Sequence, residues 1–253
     1  MNLRRFYILP LLFFALTACG KKGPVRPLLQ PLPAAPGHLT VEQQGERFAV
    51  AWTIPTAYQD GTPLADLQGF QVFKMQFDAT RDCPECRDTS VLLANVDLDY
   101  LRAVQRNDQR LTLWDADLVP GSSYQYRVVP FTRTGAAGLP ATAKRPCLVP
   151  PPPPTGLTAS GHDRMVKLEW AAPANLPQAV ELKGYNLYRR LPGEVFPDLP
   201  LNHEPLAAPA YEDFSVTNDI AYGYAVRSVA DIGGIRVESV LSAAVNILPR
   251  AGQ

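Results

Sequence analysis

Two cysteines three residues apart are the clustered residues in this sequence that suggest a specific chemistry. Cys83 and Cys86 flank Pro84-Glu85, and such a pair serves as a thiol redox couple, as half of a zinc site, or as a disulfide that closes a short loop. A redox couple needs a helix N-terminus that lowers one thiol pKa, and the neighbouring sequence does not supply one. A zinc site needs two further ligands, for which only Cys147 and three scattered histidines are present. We expect a disulfide, with Cys147 either buried as a free thiol or paired with one of these two.

Other residues that could take part in catalysis occur singly. His38, His162 and His203 lie at predicted strand starts or in loops, outside any recognisable catalytic signature. Asp97 and Asp99 alternate at the end of a predicted strand, a spacing more typical of a solvated edge than of an acid–base pair. The sequence has no glycine-rich phosphate loop, EF-hand or zincin motif. We therefore expect a protein that is not an enzyme and has no cofactor or metal.

The N-terminus has the features of an export signal. Arg4 and Arg5 precede an apolar run at 6–16, well below the roughly 20 residues needed to span a bilayer permanently. The run leads into Leu16–Cys19 (LTAC), which resembles the lipobox of bacterial lipoproteins. By that resemblance residues 1–18 are the signal peptide and Cys19 is the lipid attachment site at the mature N-terminus. The alternative is an ordinary cleaved signal in which this cysteine has no role.

The charge balance limits the classes of partner. The chain has 24 basic and 24 acidic side chains, and removal of the signal takes two arginines with it. Nucleic acids and acidic lipid surfaces both require a clustered positive field. We therefore expect no nucleic-acid partner, and attachment to the membrane through the N-terminal lipid. The start of the mature chain, Cys19–Pro24 (CGKKGP), resembles that of small outer-membrane lipoproteins, which implies a place in the bacterial envelope, at the outer membrane facing the periplasm or the cell surface.

Proline-rich segments divide the remaining chain. The sequence has 26 prolines, and the first cluster predicts a stalk over residues 19–35 because it lacks apolar periodicity. A second cluster, which includes Pro150–Pro154, predicts a stiff polyproline linker over residues 147–154. Two folded domains are predicted on either side of it, at residues 36–146 and 155–248, each of ordinary domain size.

The two predicted domains repeat one another. Arg47–Trp52 (RFAVAW) corresponds to Met165–Trp170 (MVKLEW), and in both segments alternate residues are apolar. Trp52 and Trp170 are therefore predicted to lie at the centre of each core. Two further segments correspond in the same way: Leu67–Lys74 matches Leu182–Arg189, and Tyr124–Val129 matches Tyr222–Arg227.

These landmarks resemble those of fibronectin type III domains: a tryptophan in the second strand, Gly-aromatic-x-Val/Leu in the third, and Tyr-x-Tyr near the end. The resemblance implies an all-β protein with two tandem fibronectin type III-like (immunoglobulin-like) β-sandwiches of seven strands each. It also implies that Tyr124 and Tyr222 are tyrosine-corner residues, whose hydroxyl binds a nearby backbone group. The immunoglobulin family is the competing sandwich, but neither domain has the cysteine pair that joins its two sheets.

One stretch of the first domain is longer than its counterpart. Gly69 and Tyr126 are 57 positions apart, whereas Gly184 and Tyr224 are 40 apart, so the first domain has seventeen extra residues near the cysteine pair. Loops on a rigid scaffold tend to carry binding residues. We therefore expect an interaction module for an envelope protein or polysaccharide, with this insertion as its specific part. The alternatives are a structural spacer without a specific ligand, and a thiol redox or metal-binding protein that uses Cys83 and Cys86.

Overall fold

The computed structural model describes residues 31–252, so that Cys19, the predicted signal peptide and most of the predicted stalk lie outside the described part. Every regular element in the described part is a β-strand, and no helix there has the length and apolarity to cross a bilayer. The first eight strands are β1 (Gly37–Gln44), β2 (Arg47–Thr53), β3 (Leu67–Phe77), β4 (Val91–Asp97), β5 (Val104–Asn107), β6 (Arg110–Asp115), β7 (Ser123–Thr132) and β8 (Ala141–Pro146). The next seven are β9 (Thr155–His162), β10 (Met165–Ala171), β11 (Val180–Arg190), β12 (Ala210–Asp213), β13 (Tyr222–Ile232), β14 (Ile235–Glu238) and β15 (Val245–Ile247).

Strands β1 to β8 form the first sandwich. One sheet has the order β1-β2-β6-β5 and the other β4-β3-β7-β8. Trp52 on β2 is fully buried between them, and its ring meets that of Phe70 edge to face at 5.5 Å. We expected seven strands, and the structure has eight because β5 forms a hairpin with β6 inside the longer stretch of this domain.

Strands β9 to β15 form the second sandwich. The sheet β12-β10-β9 faces a sheet in which β13 pairs with β11 on one side and with β14 and β15 on the other. Trp170 on β10 is buried against Tyr185, with ring centroids 5.4 Å apart. Both sandwiches thus have their own apolar core, with the first two strands in one sheet and the third in the other. This arrangement confirms the predicted class: an all-β protein with two tandem fibronectin type III-like sandwiches.

The end of the predicted stalk lies against the first sandwich. Ala34 N–H donates to Ala57 O (3.1 Å), and Gln59 N–H donates to Leu32 O (2.9 Å). Pro33 is buried by this pairing. The compact unit therefore begins at Leu32, a few residues before the predicted boundary at residue 36.

Candidate interaction site on the first sandwich

The disulfide loop, residues 78–90, connects β3 to the edge strand β4. Within it the sulfur atoms of Cys83 and Cys86 are bonded to each other, and Cys86 N–H donates to Cys83 O (3.0 Å). Cys147, the remaining described cysteine, is a free thiol buried in the core of the first sandwich. The short turn around the disulfide thus presents Pro84 and Glu85 at the end of the sheet.

Ion pairs hold the disulfide loop against the neighbouring strands. Lys144 on β8 binds Glu85, and Arg127 on β7 binds Asp88 with Nη2 and Oδ2 3.1 Å apart. The hydrogen bond from Lys144 lowers the pKa of the Glu85 carboxyl, and hydrogen bonds from Ser90 lower the pKa of Asp88. Both carboxylates are therefore held in their charged forms, and the loop's orientation depends on contacts with the same sheet that carries β4.

Two consecutive apolar side chains are exposed where the disulfide loop enters β4. Val91 is 65% exposed and Leu92 is 54% exposed. Val91 pairs with Lys74 and Leu92 with Phe73, so the two side chains lie on opposite faces of β4 and are exposed where the strand begins. A bulge follows, because Val72 pairs with Ala94 and Leu93 is left without a partner on β3.

The outer edge of β4 is less protected than the other edges of the described sheets. Residues 91–96 carry no charge, proline or glycine, and β3 is the strand that pairs with them. Natural edge strands are usually protected by charges, proline or a covering segment. The other edges are protected in one of these ways. Charged residues or proline lie on three of them: Arg106 on β5, Lys144 to Pro146 on β8, and Glu212 on β12. The other two are covered, because β15 packs against β9 and residues 201–206 lie along β11.

A hollow of about 380 Å³ lies beside the disulfide. It is lined by the end of β3, including Met75 and Phe77, and by Arg81 and both bonded cysteines. The hollow, the disulfide loop and the exposed pair Val91 and Leu92 together form the candidate interaction site.

The three histidines considered as possible ligands or catalytic residues do not form a cluster. His38 is the second residue of β1, His162 ends β9, and His203 lies in the loop between β11 and β12. Within residues 31–252 no group of three or more His, Cys, Asp or Glu side chains is placed to hold a metal ion. Asp97 and Asp99 serve local contacts instead: Asp97 accepts from Gln68 Nε2 (2.8 Å), and Asp99 pairs with Arg133 (2.9 Å).

Both predicted corner tyrosines bind backbone groups upstream of their strands. Tyr124 Oη accepts from Val119 N–H (2.7 Å), and Tyr222 Oη accepts from Thr217 N–H (3.1 Å). In each case the partner lies five residues before the tyrosine. These bonds fix the turn that leads into β7 and β13.

Each sandwich has a buried carboxylate that was not predicted from the sequence. Asp115, at the end of β6, pairs with Lys74 Nζ (2.8 Å) and accepts from the hydroxyl of Tyr126. Asp213, at the end of β12, pairs with Arg189 Nη1 (2.7 Å) and accepts from the hydroxyl of Tyr224 (2.8 Å). A shared spacing in the sequence could have indicated both aspartates, because each stands eleven residues before the tyrosine that it binds.

The proline-rich linker is bound to both sandwiches. The Gln43 side chain donates to Leu148 O (2.6 Å) and accepts from Leu148 N–H (3.0 Å), and Ser228 Oγ donates to Pro152 O (2.7 Å). Residues 147–154 were predicted to form a stiff polyproline linker. The two sandwiches also meet directly at an interdomain seam, where Gln44 on β1 pairs with Glu238 on β14.

Polar contacts build the interdomain seam. Asp198 of the second sandwich accepts from Thr112 Oγ1 (2.7 Å) and lies 3.3 Å from Arg110 Nε, while its backbone carbonyl accepts from Gln44 Nε2 (2.8 Å). Gly45 N–H donates to Glu238 O (2.9 Å). Gly45 has a positive φ of 67°, and a Cβ there would lie 2.7 Å from Val240, so the close approach requires glycine.

Glu238 is the buried acidic group of the seam. Its carboxylate accepts from Tyr188 Oη and from Asn186 Nδ2, both at 2.6 Å, and lies 3.6 Å from Arg227 Nε. Burial raises the pKa of Glu238, although its hydrogen bonds and the positive charge of Arg227 act in the opposite direction. The carboxyl group therefore takes up a proton more readily in the folded protein than in the unfolded chain.

Comparison with known proteins adds little to the assignment made from the strands. No protein-family model matches the chain, and no curated protein sequence matches it significantly. Among solved structures, it is similar to the FN1–FN3 domains of chicken CNTN1, with 14% sequence identity and a TM-score of 0.36. That match covers 87% of this chain and 69% of the other. The fold assignment rests on the strand order described above.

Proposed function

We propose that this protein is a lipid-anchored interaction module of the bacterial envelope, and that its partner is another envelope protein. Tandem sandwiches of this class serve as interaction modules or spacers, and they are typically non-enzymatic. The resemblance of the N-terminus to a lipoprotein signal supports an anchor at Cys19. In this proposal the stalk over residues 19–30 connects that anchor to the first sandwich.

The exposed pair Val91 and Leu92, on the least protected edge strand of the described sheets, is the observation that carries the proposal. Adjacent exposed apolar residues mark sites of protein contact. The unpaired backbone of an edge strand also suits an extended segment of a partner, which would add a strand beside β4. A polysaccharide would be better served by polar groups around exposed aromatic faces, whereas this strand offers aliphatic side chains and backbone groups. We therefore favour a protein partner over a polysaccharide.

Site-specific crosslinking tests the interaction site. A photoreactive amino acid at Val91 is expected to give discrete adducts with an envelope protein in intact cells. Leu139 is the matched control, because it is an exposed apolar residue (51%) in the β7–β8 loop, at the opposite end of the first sandwich. Adducts at position 91 that a Leu92→Lys change abolishes support the site. Adducts of equal yield at both positions contradict it, and a lack of adducts at either position favours a spacer.

Fractionation tests the anchor separately. Cys19→Ser is expected to move the protein from the membrane pellet to the soluble fraction, because lipid attachment is removed and no other anchor is proposed. A variant that still pellets after a high-salt wash contradicts the lipoprotein part of the proposal and leaves the interaction site to be judged by the crosslinks.

A further inference from the structure

A second pocket, of about 330 Å³, lies at the interdomain seam and is lined by residues of both sandwiches. The first sandwich contributes Arg47 and Trp114, and the second contributes Arg190 and Phe196. Val195, which is 70% exposed, and Leu241 add aliphatic surface. None of these residues belongs to the candidate interaction site on β4.

Each arginine of this pocket is held against an aromatic ring. Cζ of Arg47 lies 3.8 Å from the ring centroid of Trp114, and Cζ of Arg190 lies 4.7 Å from that of Phe196. Stacking of a guanidinium group on an aromatic face restricts its plane and leaves the N–H groups at its edge available. One of these groups is used, because Arg190 Nη1 donates to Glu194 O (2.9 Å).

Neither arginine has an acidic partner among residues 31–252, within ion-pair distance. The Glu194 carboxylate, in the same loop as Phe196, accepts from Leu191 N–H (3.2 Å) and does not pair with Arg190. Burial and the positive charge of Arg227 lower the pKa of Arg47, which is the effect expected of uncompensated positive charge. The pocket therefore has two oriented cations and a deficit of negative charge.

We propose that this pocket binds a phosphate group. Guanidinium groups recognise oxyanions through pairs of parallel hydrogen bonds. Two unpaired arginines match a phosphate monoester, which carries a charge of about −1.5 to −2 at neutral pH, better than they match a carboxylate with its single charge. Val195 and Leu241 then contact the organic part of the ligand. The phosphate belongs either to a soluble monoester or to a lipid headgroup.

Tryptophan fluorescence provides a direct measurement on the full-length chain. Trp52 and Trp170 are buried, whereas Trp114 is half-buried at the pocket. Titration with inorganic phosphate, at an ionic strength held constant with chloride, is expected to give a saturable change in fluorescence. Trp114→Phe should abolish that signal. Glycerol phosphate, vesicles containing phosphatidic acid, whose headgroup is a phosphate monoester, and control vesicles of phosphatidylcholine then distinguish a soluble monoester from a lipid headgroup as the source.

Arg47→Gln and Arg190→Gln should each weaken phosphate binding about tenfold or more, because each removes charged hydrogen bonds. The matched control is Arg102→Gln: Arg102 also stacks on an aromatic ring, that of Tyr100 at 4.2 Å, and likewise has no ion pair among residues 31–252, but it does not line this pocket. Unchanged melting temperatures show that the variants fold. The proposal is overturned if phosphate gives no saturable change, if Arg102→Gln weakens binding as much as Arg47→Gln, or if acetate binds as tightly as phosphate.

Discussion

Asp115 and Asp213 perform the same task in the two sandwiches, although their cationic partners differ. Each carboxylate joins the end of one sheet to two residues of the other, and each also accepts from the backbone N–H two positions later, at 3.0 and 2.9 Å. A buried ion pair contributes little net stability, because desolvation offsets the attraction. Removing one member has a large cost, because an unpaired charge is left in the interior. Replacement of either aspartate is therefore expected to destabilise its sandwich.

Asp115→Ala is expected to reduce the free energy of unfolding of the first sandwich by about 3–5 kcal/mol, because Lys74 is left buried without its partner. Asp117 provides the matched control: its carboxylate lies 3.8 Å from the same Lys74 Nζ but is fully exposed. Asp117→Ala should change stability by less than about 0.5 kcal/mol. Urea titration of both variants makes the comparison, and equal losses would show that burial of the pair is not the cause.

The disulfide at Cys83 and Cys86 should matter locally. It closes a loop with a sequence separation of three, so loop-closure entropy gives it a small effect on global stability. A double Cys→Ser variant is expected to melt within a few degrees of the parent and to lose the crosslinks at position 91. Mass spectrometry of unreduced peptides provides the direct check, and a peptide that joins Cys147 to either residue would refute the pairing.

At the scale of elements, the sequence predicts strands well where apolar residues alternate. Arg47–Trp52 and Met165–Trp170 lie on β2 and β10, with their tryptophans buried, and the repeat between the domains predicts the sandwich class. The short strand β5 could not be predicted, since Val104–Asn107 is mostly polar and acquires strand geometry only by pairing with β6. The bulge at Leu93 depends in the same way on the pairing of β4 with β3, which no local sequence pattern encodes.

Asn202 replaces part of a strand beside β11. Its side chain accepts from Leu187 N–H (2.8 Å) and donates to Tyr185 O (3.1 Å), as the backbone of a neighbouring strand would do. Asn202→Ala should destabilise the second sandwich by about 1–3 kcal/mol for each buried group left without a partner. His203→Ala, at the exposed next position, is the control in the same thermal melts. An equal effect of both changes would contradict the assigned role.

For the whole molecule, the seam is the feature that sequence analysis could not supply. Gln44 and Glu238 are 194 positions apart and become neighbours only after both sandwiches have formed. Proline content predicted a linker over residues 147–154, but the two hydrogen bonds between Gln43 and Leu148 join a side-chain amide to backbone groups, and no sequence pattern indicates them. The extra residues and the cysteine pair near β4 could be counted directly in the sequence, whereas the role of this region in binding stays a prediction.

Glu238 should make the stability of the seam depend on pH. Its pKa is raised in the folded state, so its contribution to stability is fully present below the ordinary carboxyl pKa, about 4.3, and is lost as pH rises through the raised value. Glu238→Gln cannot titrate. The stability of the parent minus that of this variant, measured by urea titration, is therefore expected to fall as the pH rises above the ordinary carboxyl pKa. A Glu46→Gln variant, in the exposed turn, is measured in the same way as the control. A difference that increases with pH would contradict the sign.

The buried thiol of Cys147 can serve as a probe of transient opening of the first sandwich. The residue is 2% exposed, burial raises the pKa of its thiol, and backbone bonds to Gly121 and Ser122 hold it in place. An alkylating reagent can reach it only during transient opening, so the labelling rate measures the frequency of such events. Asp115→Ala should accelerate labelling, whereas Asn202→Ala should leave it almost unchanged if the two sandwiches open separately. Equal acceleration by both variants would show that the seam couples their fluctuations into one cooperative event.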